Sequence, residues 1–109
     1  MKKIYIAGKM TGLKNYGKKY FNRMEKNLRK KGWEVINPIK ISKYISLMLD
    51  KKIKDIPKEI FMKEDLKHLI ECDAILLLHN WVNSDGAKIE FAVAKSLGLE
   101  IIYEKIIKK

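Results

Sequence analysis

Glu90 is a carboxylate on the wrong side of its helix. On a wheel at about 100° per residue, Lys88 and Lys95 mark one side of residues 86–97, and Glu90 falls about 150° away, beside Gly86, Val93, Ala94 and Leu97. A carboxylate turned towards a core is costly unless it is paired, hydrogen-bonded or set in a wet cleft. It either accepts from loop amides or does work in a cleft, and the positive end of the helix dipole favours an anion in the first turns. Asp65 is a weaker second candidate: it sits about 40° from Leu69, on the edge of a stripe of Met62, Leu66, Leu69 and Ile70, where it reaches the same cleft or only water. Tyr5, inside an apolar run, needs an acceptor for its hydroxyl when buried, and a carboxylate near the strand end supplies one. Ser84 fits a helix N-cap or a phosphate contact, two roles that compete for one hydroxyl.

Such groups need a scaffold that gathers them. "KIYIA" at residues 3–7 reads as a buried strand, β-branched and aromatic, ending at Gly8. Phe21, Met24 and Leu28 recur at helical spacing between Lys18 and Lys31, and Gly32 stops that helix. "WEVIN" is a second strand closed by Pro38, which donates no ladder hydrogen bond. Residues 39–56 are ambiguous, with a helix after Ser42 as one reading; Pro57 then opens a helix that runs to about Glu71. "DAILLLHN" is the third strand, residues 85–97 form a helix ending before Gly98, "LEIIYE" is the last strand, and "KIIKK" is a tail. This alternation predicts an α/β fold with a small parallel sheet of about four strands and helices on both faces, in one domain over residues 1–109. Ligands bind such sheets beyond the carboxyl ends of the strands, where "GKMTG" and "HNWVNSDG" lie. Glycine at Gly8 permits a positive φ and lets backbone N–H groups approach an anion, as a plain strand-to-helix turn also favours.

Composition excludes several classes. A single cysteine, Cys72, rules out a disulfide framework and a cysteine-rich zinc site, and beside "AILLL" it reads as a buried, inert thiol. That five-residue run is the longest apolar stretch, far below the roughly 20 residues of a membrane span. "MKKIYIAG" runs straight into the first strand, so no signal peptide is expected, and a cytoplasmic location is. The net charge of +11 attracts anionic ligands. Among the 24 basic residues only Arg23 and Arg29 are arginines, and the lysines are scattered along the chain, which argues against nucleic-acid binding as the main role. His68 and His79 have no ligand partner at a recognisable spacing, so neither metal nor cofactor is expected.

"IYIAGKMTG", the pair Asn37 and Pro38, and "CDAILLLHNWVNSDGAKIEFAVAKSLG" resemble the family of nucleoside 2-deoxyribosyltransferases, in a small branch of bacterial and phage proteins, over nearly the whole chain. The most specific part is Ser-x-Gly-x-x-x-Glu, formed by Ser84, Gly86 and Glu90, after "CDAI" and Trp81. The resemblance implies a three-layer Rossmann-like or flavodoxin-like fold. It further implies that Glu90 is the nucleophile at a sugar's anomeric carbon, that Tyr5 holds its carboxylate, and that Asp65 handles the proton at the leaving base. Ser84 and Gly86 would hold a 5′-phosphate or 5′-hydroxyl, with Gly8, Lys9, Met10 and Trp81 beside the substrate. The implied activity is cleavage or transfer of the N-glycosidic bond of a (deoxy)nucleoside or its 5′-monophosphate; the alternative is a protein that binds such a nucleotide without cutting it. The chain departs from its relatives in carrying Lys9 where they commonly have proline and Asn80 where they often have glycine. "KIIKK" offers no counterpart to the segment with which a neighbouring deoxyribosyltransferase subunit closes the sugar site, which favours hydrolysis or binding over transfer. A homodimer or larger homo-oligomer is expected, with Phe91 near Trp81 either at the interface or covered by lysine stems.

Overall fold

"KIYIA" has no polar alternation because both of its faces are covered. It forms β1 (Lys3–Ala7), and Ile4, Tyr5, Ile6 and Ala7 are all fully buried. A computed structural model describes residues 2–105; the expected tail lies outside the described residues beyond Lys105. β2 (Glu34–Ile36), β3 (Ala74–Leu77) and β4 (Glu100–Tyr103) complete a sheet of order β2-β1-β3-β4 in which every pairing is parallel. Helix α1 (Lys18–Lys30) joins β1 to β2, α2 (Pro38–Leu49) and α3 (Lys58–Leu69) join β2 to β3, and α4 (Asp85–Ser96) joins β3 to β4.

The alternation of β1 separates two cores. Ile4 and Ile6 pack with Phe21 and Leu28 of α1, while Tyr5 and Ala7 pack with Leu69 of α3 and Ala87 and Ala94 of α4. Helices therefore cover both faces, and the fold is a three-layer, Rossmann-like α/β sandwich. Because β2 and β3 flank β1, the chain leaves β1 towards one side and returns on the other. That reversal opens a crevice beyond the carboxyl ends of β1 and β3.

Three expectations need correction. Pro38 does not simply close the second strand; it is the first residue of α2, which begins before Ser42 rather than after it. The Asn37 side chain caps this helix by accepting from the Ile39 N–H at 3.0 Å, and the fixed φ of proline suits the first helical position. Ile70 is not part of the buried stripe of α3: the helix ends at Leu69, and Ile70 is 54% exposed. Leu97 likewise lies past the end of α4 and points outward. The Cys72 thiol is buried, as expected, and burial is the main cause of its pKa being pushed up to about 11.

A polar knot fixes the start of α2 against α1. Glu25, buried on α1, accepts from Arg29 Nε at 2.7 Å, Lys40 Nζ at 2.9 Å and Asn37 Nδ2 at 3.0 Å. Burial opposes its charge, but these donors outweigh it and hold the carboxyl below its ordinary value. This anchoring holds Pro38 and Ser42 at the carboxyl edge of the sheet, where both border the crevice.

Candidate active site

The crevice is a cavity of about 860 Å³, with Glu90 and Asp65 on its wall. Glu90, on the second turn of α4, is 6% exposed, and the Tyr5 hydroxyl donates to its Oε2 at 2.6 Å. Asp65, on α3, is 8% exposed, so it belongs to the buried stripe and not to its edge. Its Oδ1 is the one fully buried side-chain polar atom among the described residues without a hydrogen-bond partner. Three elements remote in sequence thus bring a phenol and two carboxyls into mutual electrostatic reach.

Burial is the dominant influence on all three groups. It raises the pKa of Glu90, the neighbouring charge of Asp65 raises it further, and the Tyr5 hydrogen bond pulls it back only in part. Asp65 is raised by burial first and by Glu64 second. Tyr5, buried and beside both acids, stays protonated well above the ordinary tyrosine value and remains a donor. Two adjacent buried carboxyls titrate as a pair. The hydrogen bond from the Tyr5 hydroxyl favours charge on Glu90 and the unpartnered Oδ1 favours none on Asp65, while burial pushes the two carboxyls up to about 8 and about 7, so the pair holds a proton near neutral pH.

The raised pKa of Asp65 has a consequence for stability. A carboxyl whose pKa climbs on folding from 3.8 to about 7 contributes stability that is complete below the lower value and lost as pH rises through the upper one. Asp65→Asn cannot ionise. Relative to the unmodified protein it is expected to gain stability progressively across that range, by on the order of 2–4 kcal/mol at the plateau. Urea unfolding at several pH values checks this; a difference independent of pH contradicts it.

Gly8, Lys9, Met10, Ser84 and Gly86 all border the cavity. Gly8 serves packing more than anion capture. Its φ is not positive, and a Cβ there would stand 2.7 Å from Leu78 Cδ1. The Lys9 N–H is committed to Asn80 Oδ1 at 3.0 Å, so the asparagine ties the ends of β1 and β3 together. Ser84 caps α4, its Oγ accepting from the Ala87 N–H at 3.1 Å, which leaves its proton to donate into the cavity. Trp81 lies outside the cavity wall, its ring 4.9 Å from that of half-buried Phe91, and Lys95 Nζ stands 5.9 Å from the Phe91 centroid. His68 is exposed near Glu64, and His79 is engaged by Tyr20 and Glu104.

Sequence reasoning missed Tyr16 and Ser42, which also border the cavity. Ser42 is 5% exposed and shares the inward side of α2 with Ile45; a wheel over residues 38–49 would have flagged it as a polar residue facing the core, as it does Glu90. Tyr16 stands between Asn15 and Gly17 in a left-handed turn that no periodic pattern announces.

Residues 2–103 match the family model described as a domain of unknown function, DUF4406. The chain belongs to the DUF4406 family. No curated protein matches it. In this DUF4406 chain the buried acids Glu90 and Asp65 converge on the crevice. None of the helices described is long and apolar enough to cross a membrane.

Proposed function

We propose that this DUF4406 protein cleaves the N-glycosidic bond of a (deoxy)nucleoside or its 5′-monophosphate, with Glu90 as nucleophile. The observation that carries the reading is the buried Tyr5–Glu90 hydrogen bond on the wall of a cavity that also holds the unpartnered Asp65. The resemblance to nucleoside 2-deoxyribosyltransferases supports it. Glu90 attacks the anomeric carbon as the bond from that carbon to the base nitrogen breaks, and Asp65 gives its proton to the departing base. The sugar is then held as an ester on Glu90. Water attacks the same carbon, loses a proton to the Asp65 carboxylate, and frees Glu90. A second base in place of water makes the reaction a transfer.

Four deoxynucleoside 5′-monophosphates and their nucleosides, incubated with the protein and followed by chromatography, test the proposal through the release of free base. One observation favours the alternative of binding without cleavage: burial works against the charged Glu90 that attack requires. Tight binding with no base released from any compound is the result that reading expects.

Association as a homodimer belongs to the same proposal. Ile89 is 47% exposed although it borders the cavity, which leaves an apolar surface at the mouth of the site. Light scattering at tens of micromolar is expected to give twice the 12.8 kDa chain mass, and the mass of a single chain contradicts it.

A further inference from the structure

The main cavity has a neighbour. A second cavity of about 400 Å³ shares Met10, Tyr16, Ser42 and Ile53 with the first, so the two meet along a common wall. Ligand sites span about 300–1,000 Å³, which makes each space large enough for one unit of a ligand. Their charges differ. The larger cavity is bordered by four carboxyl groups, Glu59, Asp65, Asp85 and Glu90, together with Lys9, Lys54 and Lys58, whereas the smaller has Lys18 and Lys43 and no carboxylate.

The shared wall is built with unusual backbone. Asn15 (φ 49°, ψ 36°), Tyr16 (φ 58°, ψ 24°) and Gly17 (φ 76°, ψ 21°) are three consecutive left-handed residues, a conformation that bulky side chains adopt only when the surroundings impose it. It sets Tyr16 at the junction of the two spaces, which the buried Ser42 also borders. An aromatic face at such a junction suits stacking against a base or sugar. The lysines beyond it suit a phosphate.

Resting on the glycosidic-bond reading, we infer that the two cavities form one two-part site: the larger receives the nucleoside that is cut, and the smaller receives a second nucleotide unit joined to it through phosphate. The preferred substrate class is then dinucleotides. Phosphodiester and pyrophosphate linkages present the same chemistry to Lys18 and Lys43, and the test distinguishes them.

Titration calorimetry of the protein with a deoxynucleoside 5′-monophosphate, a 5′-phosphorylated phosphodiester dinucleotide and a pyrophosphate-linked dinucleotide reads the second unit directly. At least one dinucleotide is expected to bind about ten-fold more tightly than the mononucleotide, as one or two charge-assisted hydrogen bonds provide. Lys18→Ala combined with Lys43→Ala is expected to weaken that dinucleotide about ten-fold more than the mononucleotide. Dinucleotides that bind no better than the mononucleotide overturn the inference, as does a double variant that weakens both equally. Base release assayed on the same samples reports separately on cleavage: a dinucleotide advantage without free base keeps the two-part site and removes the enzyme, and cleaved mononucleotide without the advantage does the reverse. Absence of binding by all three compounds overturns both.

Discussion

Glu90→Gln is expected to lower the rate of base release by about 10³-fold or more while leaving the protein folded. The amide keeps the size of the side chain and an oxygen for the Tyr5 hydroxyl, which lies 2.6 Å from Oε2, but it cannot form a glycosyl ester. Stability should move the other way. Burial and the nearby Asp65 raise the Glu90 pKa on folding, so the native carboxyl becomes a growing liability as pH rises above the ordinary carboxylate range, and an uncharged amide removes it. Loss of activity together with a melting temperature that rises at neutral and alkaline pH is a signature that a purely structural glutamate does not produce. Chromatography of released base and thermal melting across pH check both halves; activity retained within about ten-fold contradicts the assignment.

Gly8→Ala is expected to be among the most damaging single-methyl changes in the chain. The new Cβ would meet Leu78 Cδ1 at 2.7 Å and Leu78 Cβ at 2.9 Å. Neither side can withdraw easily, because Leu78 is fully buried and its N–H is bonded to the Ala7 carbonyl at 2.9 Å. Overpacking of this kind costs about 1–3 kcal/mol, or a fall of roughly 4–8 °C per kcal/mol for a domain of this size. Since β1 and β3 carry the crevice between them, substrate affinity should fall with the melting temperature. Gly12→Ala is the control. Its φ is +85° but nothing lies within 4 Å of the added atom, so only backbone strain of about 1 kcal/mol is expected. An unchanged midpoint for Gly8→Ala would show that the strands part without cost.

The wheel of α4 already turns Glu90 inward, because the solvent side of that helix is marked by lysines and a buried carboxylate is conspicuous against Val93 and Ala94. Tyr5 is legible for a related reason: a phenol inside an apolar strand needs an acceptor, and Glu90, 85 positions away, is the one it finds. Asp65 is harder to place, since helical spacing extends the stripe of α3 to Ile70 whereas the helix ends at Leu69. The start of α2 is obscured by Pro38, which reads equally well as the end of a strand and as the first residue of a helix. Alternating periods predict parallel strands, yet they do not say which strands are neighbours. The order β2-β1-β3-β4 arises from pairings such as Ile4 with Ala74, far apart in the chain. Tyr16 is not legible because a left-handed turn follows no hydrophobic period, and a bulky aromatic residue is not one that such a turn favours.

Mass spectrometry of the protein quenched by acid during turnover of a deoxynucleoside 5′-monophosphate bears most directly on the role of Glu90. A fraction of the chain is expected to be heavier by one deoxyribosyl phosphate, located by proteolysis in the peptide that contains Glu90 and missing from Glu90→Gln. Free base accumulating with no such adduct, or with the adduct on another residue, would contradict it.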